Sequence, residues 1–547
     1  MQGRRRRRSG GGNNSSSSSV TKVTISGSQS VAVGSSVTLT ATPNATPSGA
    51  YKWTITEGDG YVTLGSSTTN KETVTGKAAG TAKITASVDG VTSAPYTVTV
   101  GDPSAAGADL VVTPGAKVTT NGWADLANNG VGMSYPNTAN IIYIGDDGYK
   151  VGSGSLTAYT STTTKRKVFT NAIASGSTSN SSANETAAII VLSGMVDLSD
   201  GKVSDDDHSY FDEFGTSTDK NGNTIYPRKH EDIVYEIGSN KAIIGVNSAK
   251  VAFGGLQIYA NKCERGNIII QNIDFWDAHG STEEDTKHNA DSKASADSLI
   301  LESNSSSTTT DSNGHITYNY VPKNIWIDHC KFSDGTCDDL KRNFNHDGSL
   351  DMKAGQYVTV SYCEFTNHDK VTLLAPSEKY VAPQQRQITF HHNYYHGAIQ
   401  RMPRSRGCQV HIYNNYYNDI GVSGNGGYSL GPGIGSQFIV ENNYFGRHQT
   451  STILKYFDNS GDDPSAATFS RLYYNGNNDT FSSTNMAKDK LEKASDVTAH
   501  LTDTKPWTIS YTYEPELNSG LPTLIPTAAG TDKLDYTQTV EVDGVLY

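Results

Sequence analysis

Two aspartates four positions apart, in His346-Asp-Gly-Ser-Leu-Asp351, are the acids best placed to act together. On a strand Asp347 and Asp351 share a face; where a bend leads into a strand they converge. Asp297 opens a similar strand, Asp297-Ser-Leu-Ile-Leu, earlier in the chain. Three carboxylates from neighbouring segments make an all-oxygen site for a hard cation, and calcium suits such a set best. Aspartates in turns also cap backbone amides or face water, so the spacing leaves both readings open.

Cations follow the acids. Lys370 comes first; then five basic residues (Lys379, Arg386, Arg401, Arg404, Arg406) lie between positions 379 and 418 with no Asp or Glu among them. In a chain of net charge −12 this is a local positive patch, densest at Arg401-Met-Pro-Arg-Ser-Arg406. Guanidinium groups recognise carboxylates bidentately. The ordinary alternative is a solvated basic loop. A carboxylate metal site beside an arginine cluster points to an anionic substrate held by both, and a polyuronide fits.

The elements that position these residues repeat. Ile327-Asp-His-Cys-Lys-Phe, Val360-Ser-Tyr-Cys-Glu-Phe, Phe390-His-His-Asn-Tyr-Tyr, Ile412-Tyr-Asn-Asn-Tyr-Tyr and Val440-Glu-Asn-Asn-Tyr-Phe align without gaps. The fourth column reads Cys330, Cys363, Asn393, Asn415, Asn443, with spacings of 33, 30, 22 and 28. The sixth reads Phe332, Phe365, Tyr395, Tyr417, Phe445. Such an array with loops of unequal length predicts a parallel β-helix, one coil stacked on the next. Equivalent positions then form ladders: asparagines bonded along the stack, aromatic rings offset-stacked inside. Cys330 and Cys363 become neighbours, as buried thiols in preference to a disulfide. His391, His392 and His396 fall at ladder or bend positions and read as structural, as do Asp328 and His329.

At 547 residues the chain exceeds one ordinary compact domain unless it holds a solenoid. Abundant Gly, Ser, Thr and Asn suit short strands and turns, so the fold class is all-β. The acidic balance argues against nucleic acid as a partner, and no apolar run is long enough to span a membrane. Five cysteines give no complete disulfide framework. Residues 1–19, with Arg4–Arg8 followed by a Gly/Asn/Ser tract, read as a disordered tail without the apolar core of a signal peptide. Residues 20–101 alternate as the strands of a small β-sandwich, with Trp53 as its core aromatic and no cysteine. Gly34-Ser-Ser-Val-Thr-Leu-Thr, Val74-Thr-Gly and Gly80-Thr-Ala-Lys-Ile-Thr make this stretch resemble bacterial Ig-like modules, in a spacer or weak binding role. Residues 102–107 read as a linker and 108–547 as the solenoid. Lys505-Pro-Trp-Thr-Ile-Ser-Tyr-Thr-Tyr reads as a strand returning to pack on it, and residues 486–497 as a helix in a capping role.

The stretch from Ile325 to Tyr417 closely resembles the pectate lyases of the pectate/pectin lyase superfamily. The motifs are Ile325-Trp-Ile-Asp-His329, Asp347-Gly-Ser-Leu-Asp351, His368-Asp-Lys370, Thr389-Phe-His-His-Asn-Tyr-Tyr and Arg401-x-Pro-x-x-Arg406, in family order. The resemblance covers about Ala187 to Phe457. It implies a right-handed parallel β-helix and cleavage of polygalacturonate by β-elimination. Asp297, Asp347 and Asp351 would hold calcium, Arg401 would act as the base, and Lys370 and Arg406 would bind substrate carboxylates. One departure is Ser295, where some relatives carry a further aspartate; the polar inserts 281–296 and 303–321 are others. Extracellular or cell-surface action of a monomer follows from this reading. Two competitors remain: a pectin lyase acting on methylated polymer without calcium, against which both Asp347 and Asp351 argue, and a non-catalytic adhesive β-helix, against which Lys370, Arg401 and Arg406 argue.

Overall fold

The structure is a computed structural model. It describes residues 19–26, 30–32, 36–78, 80–101, 112–174, 185–201, 233–278, 297–335, 346–421, 427–448, 452–457, 469–478 and 500–534, with a few isolated strand pairs besides. The tail, the linker, Ser295, the insert 281–296, Cys337 and the expected helix at 486–497 lie outside these residues, apart from Ser19 and the isolated strand Leu491–Glu492. The chain divides into two compact units, residues 1–103 and 104–547.

In the first unit, alternating apolar residues form two sheets that share one core. One sheet joins Val23–Ser26, Ser36–Pro43, Lys71–Gly76 and Val62–Leu64; the other is centred on Gly80–Val88, between Lys52–Glu57 and Tyr96–Gly101. Leu39, Trp53, Val74, Ile84 and Val98 meet between them, and the Trp53 indole donates to the Thr69 carbonyl at 3.1 Å.

In the second unit the repeat becomes a parallel β-helix. Each coil lays down a strand, a bend and a short second strand. Pro322–Asp328 with Lys331–Ser333 is followed by Gly355–Ser361 with Glu364–Thr366, Arg386–His391 with Tyr394–His396, and Gln409–Tyr413 with Tyr416–Asn418. All pair in parallel within one 17-stranded sheet. A third face carries Leu299–Ser303, Leu350–Met352, Leu373–Leu374 and Arg404–Ser405, again parallel.

Both predicted ladders form. Asn393, Asn415, Asn443 and Asn477 pass amide hydrogen bonds of 2.9, 2.9 and 3.0 Å from coil to coil. Each Asn Oδ1 also accepts the backbone N–H of the preceding coil, so buried bend amides stay paired. Phe275, Phe332, Phe365, Tyr395, Tyr417 and Phe445 stack with centroids 4.7–5.0 Å apart, the spacing of the strands themselves. The residue before each ladder position takes the left-handed conformation: Asn272, His329, Tyr362, His392, Asn414 and Asn442 have φ of 47–56°. Outside glycine that conformation costs roughly 1–2 kcal/mol per residue, and the ladder bonds hold it. Cys330 and Cys363 are free, buried thiols, as preferred.

The histidines at the bends are structural. His391 hydrogen-bonds the Thr120 carbonyl at 2.8 Å, and His396 bonds Glu364 at 2.8 Å. Helix Lys165–Ile173, unanticipated from sequence, buries Phe169 and Ile173 against the first coils. The segment 505–513 packs on the solenoid as expected, through a Trp123–Trp507 stack at 4.8 Å and the Lys505–Glu441 ion pair at 2.9 Å, but it is not a strand. Side chains make the contacts, the Trp507 indole donating to the Gln437 carbonyl at 3.2 Å and the Tyr511 hydroxyl bonding Thr389 at 2.9 Å.

Candidate functional site

The third face gathers the candidate residues, and its register explains how. Gly348, Lys370, Gln400 and Tyr428 bridge in one column, one residue per coil. A second column runs through Ile300, Asp351, Leu373, Arg404 and Gly431. The columns are three positions apart in the coils of Gly348–Asp351, Lys370–Leu373 and Tyr428–Gly431, but four apart in the coil of Gln400–Arg404. The extra residue is a β-bulge in Arg401-Met-Pro, and Arg401 takes φ 66° there. Neighbouring coils clamp it: Thr372 N–H donates to the Arg401 carbonyl at 2.8 Å, and Met402 N–H to the Ser429 carbonyl at 2.7 Å. The bulge turns Arg401 out of the alternation that buries Met402. Its Nε is shielded from water and has no hydrogen-bond partner.

Asp297 and Asp351 converge over Gly348. A Cβ there would lie 2.5 Å from one carboxylate and 2.6 Å from the other, so only glycine lets the two meet. Gly348 N–H donates to Asp297 at 2.6 Å, and Leu373 N–H to Asp351 at 2.8 Å. Both acids are nearly dry. Burial, then repulsion from Asp351 and Asp347, pushes the Asp297 carboxyl well above the usual range. Burial and repulsion from Asp347 push Asp351 up to about 6, against the opposing pull of the Leu373 amide and the Arg401 charge. Repelling carboxylates in a dry, oxygen-only pocket are chemically suited to a hard cation.

Asp347 sits differently. Its carboxylate is ion-paired with Lys370 Nζ. No group of three or more His, Cys, Asp or Glu in metal-binding geometry occurs among the described residues. The expected trio is therefore two converging carboxylates, with the third interacting through its charge and held by a lysine. Arg406 lies further along the face, pairing with the exposed Glu378 at 3.0 Å and donating to the Ala375 carbonyl at 3.1 Å. Arg386, counted with the basic patch from sequence, is wholly buried and donates to the carbonyls of Lys353, Ala382 and Gly407. It ties coils together and does not reach the surface.

Sequence reasoning missed the support beneath Asp347. His346 bonds Asp277 at 2.6 Å and lies 3.7 Å from Asp334; His368 bonds Asp334 on one side and the Asp347 carbonyl, at 2.9 Å, on the other. All four side chains are buried. The signal was present in His346-Asp347 and His368-Asp-Lys370, where each histidine flanks a site residue, but their partners come from distant coils.

The pectate lyase family model matches residues 105–534. The chain belongs to the pectate lyase family. It is 36% identical over 211 residues to a pectate trisaccharide-lyase of Thermotoga maritima, covering 37% of this chain and 47% of that protein. It is 32% identical over 227 residues to a pectate lyase of Bacillus subtilis, covering 39% and 48%. The chain thus spans about half the length of these curated relatives. Among solved structures, the pectate lyase from Acidovorax avenae subsp. citrulli superposes with TM-score 0.52 at 17% identity, covering 80% of this chain and 98% of that one. A pectate lyase bound to a hexasaccharide superposes with TM-score 0.50 at 21% identity, covering 77% and 98%. These likenesses show the parallel β-helix fold.

Proposed function

We propose that this protein is an extracellular, calcium-dependent pectate lyase that cleaves α-1,4-linked polygalacturonate by β-elimination to 4,5-unsaturated oligogalacturonides. The observation that carries the reading is the bulge that turns Arg401 outward between the columns of Lys370 and Asp351. Asp297 and Asp351 would hold calcium, with Asp347 beside them. Bound calcium would supply positive charge against a galacturonate carboxylate and acidify the proton on the neighbouring carbon.

The chain's own residues would do the rest. Lys370 and Arg406 bind substrate carboxylates, each kept in place meanwhile by an acid, Asp347 or Glu378. Arg401 takes the C5 proton. The electron pair left on C5 forms the C4–C5 double bond as the C4–O bond breaks, and the leaving oxygen takes a proton from solvent. Guanidinium is ordinarily a permanent cation, so turnover should rise towards alkaline pH. The paired β-sheets around Trp53 support reading the first unit as an Ig-like spacer or weak binding module.

The test is ultraviolet absorbance of an unsaturated uronide on polygalacturonate, with calcium and then with chelator. A rise that chelator stops is the expected result. No rise from the folded protein overturns the assignment.

A further inference from the structure

Asp347 has two tasks on the third face. Its charge acts on both Asp297 and Asp351, and its carboxylate holds Lys370. Yet it stands just before the parallel ladder takes hold. From Gly348 onward neighbouring coils fix the backbone: Ser298 N–H donates to the Gly348 carbonyl at 3.0 Å, and Ser349 N–H to the Val371 carbonyl at 3.1 Å. One residue earlier, the Asp347 carbonyl is bound by a side chain, that of His368, at 2.9 Å.

That side chain is itself held from behind. A carbonyl only accepts, so His368 Nε2 carries a hydrogen. Its Nδ1 bonds the buried Asp334 carboxylate, which sets the orientation of the ring. Asp334 in turn lies 3.7 Å from His346 Nδ1, and His346 Nε2 bonds Asp277 at 2.6 Å. The backbone beneath the ring is tied forward to the next coil. The His368 carbonyl accepts Ile399 N–H at 3.0 Å, and the Asp369 carbonyl accepts Gln400 N–H at 2.9 Å. The Asp369 side chain accepts the Gln400 amide at 3.0 Å.

The bend histidines His391 and His396 bond partners outside the site, whereas His368 bonds a site residue. Two positions further on, Lys370 takes the carboxylate of the same Asp347. One short segment thus grips Asp347 twice, by its main chain and by its charge.

We infer that His368 is a positioning residue: backed by Asp334, it fixes the main chain of Asp347 so that one carboxylate serves both the Asp297–Asp351 pair and Lys370. The role rests on the lyase reading above. Without that bond the Asp347 backbone moves, its charge leaves the acid pair, and Lys370 loses the partner that keeps it in place for a substrate carboxylate. Arg401 is clamped by other bonds, from Thr372 N–H and to the Ser429 carbonyl. The loss therefore falls on calcium affinity and KM, and kcat at saturating calcium is spared.

The experiment compares wild type, His368→Asn and His368→Gln. An asparagine amide ends level with Nδ1, so it keeps the Asp334 bond and gives up the Asp347 bond. A glutamine amide ends level with Nε2 and does the reverse. Calcium is titrated calorimetrically into each protein without substrate, and kcat and KM are then measured on polygalacturonate at saturating calcium. His368→Asn should bind calcium about tenfold more weakly and raise KM by about as much, with kcat within about twofold, while His368→Gln should stay within about threefold of wild type on both. Wild-type calcium affinity and KM in His368→Asn, or equal losses in the two variants, overturn the role. If His368→Asn does not fold, Asp334→Ala takes its place: weaker calcium binding supports the role, and wild-type binding overturns it. If the wild type makes no unsaturated product, the lyase reading fails by itself. The calcium titrations then decide: weaker binding by His368→Asn than by His368→Gln supports the positioning role, and equal binding overturns it.

Discussion

Asp351→Asn should stabilise the calcium-free protein while removing its response to calcium. Asp351 is buried against Asp297, with its carboxyl pushed from 3.8 up to about 6 by burial and by Asp347. A folded-state pKa raised above the unfolded one means that charging the group costs stability. The cost is absent below about pH 4, grows between about 4 and 6, and is constant above. Two pK units correspond to about 3 kcal/mol, and sharing the burden with Asp297 leaves about 1–3 kcal/mol for Asp351 alone. Asparagine keeps an Oδ1 to accept the Leu373 amide, so little else is lost. In a unit this large about 1 kcal/mol shifts Tm by about 1 °C. Calorimetry at pH 8 in chelator should therefore place the variant about 1–3 °C above wild type, with the difference vanishing near pH 4. Calcium at a hundredfold excess over Kd adds about 2.7 kcal/mol to the wild type, and the variant should gain much less. A variant that melts lower than wild type in chelator at pH 8, or that gains as much from calcium, would refute the reasoning.

Arg401→Ala should reduce turnover on polygalacturonate by at least about a hundredfold while sparing calcium-induced stabilisation, because the side chain leaves a clamped backbone behind; normal turnover would remove Arg401 from its assigned role. Asn415→Ala strips the Asn393 backbone amide and the Phe390 carbonyl of buried partners, so it should cost about 2–4 kcal/mol in urea unfolding; an unchanged midpoint would deny the ladder its structural part. Glu441 is nearly buried; burial alone would raise its carboxyl, but hydrogen bonds from His411, Tyr513 and Lys505 outweigh this and hold it down at about 2. A depressed folded pKa contributes stability that is present above about pH 4.5 and lost as pH falls towards 2. Glu441→Gln should flatten the wild-type loss over that window by on the order of 2–3 kcal/mol, and parallel acid-unfolding curves would contradict it.

The coil register was legible in the sequence because each coil must satisfy the same bend and fill the same core position. Asparagine, with a donor and an acceptor on one short side chain, is suited to bonding both neighbours along a stack, so the Asn393–Asn415–Asn443 ladder was visible as a spaced column. The aromatic column was legible for the same reason, as were Asp351 and Arg401 as candidates two coils apart. The capping helix Lys165–Ile173 was not, because its apolar residues follow the shape of one solenoid end and no repeat.

What only the tertiary structure decided are the relations that a motif cannot encode. Gly348 reads as a turn residue until Asp297, fifty-one positions earlier, is brought over it. The one-residue bulge that turns Arg401 outward exists only relative to coils whose loops differ in length. Arg386 and Arg404 are the same residue type in one basic stretch, yet one is sealed among carbonyls and the other lies on the Phe457 ring. A side chain's charge is a property of the chain, but its solvation and its partners are set by which coil stacks above it, and here these separate a sealed structural tie from a half-buried cation on a ring.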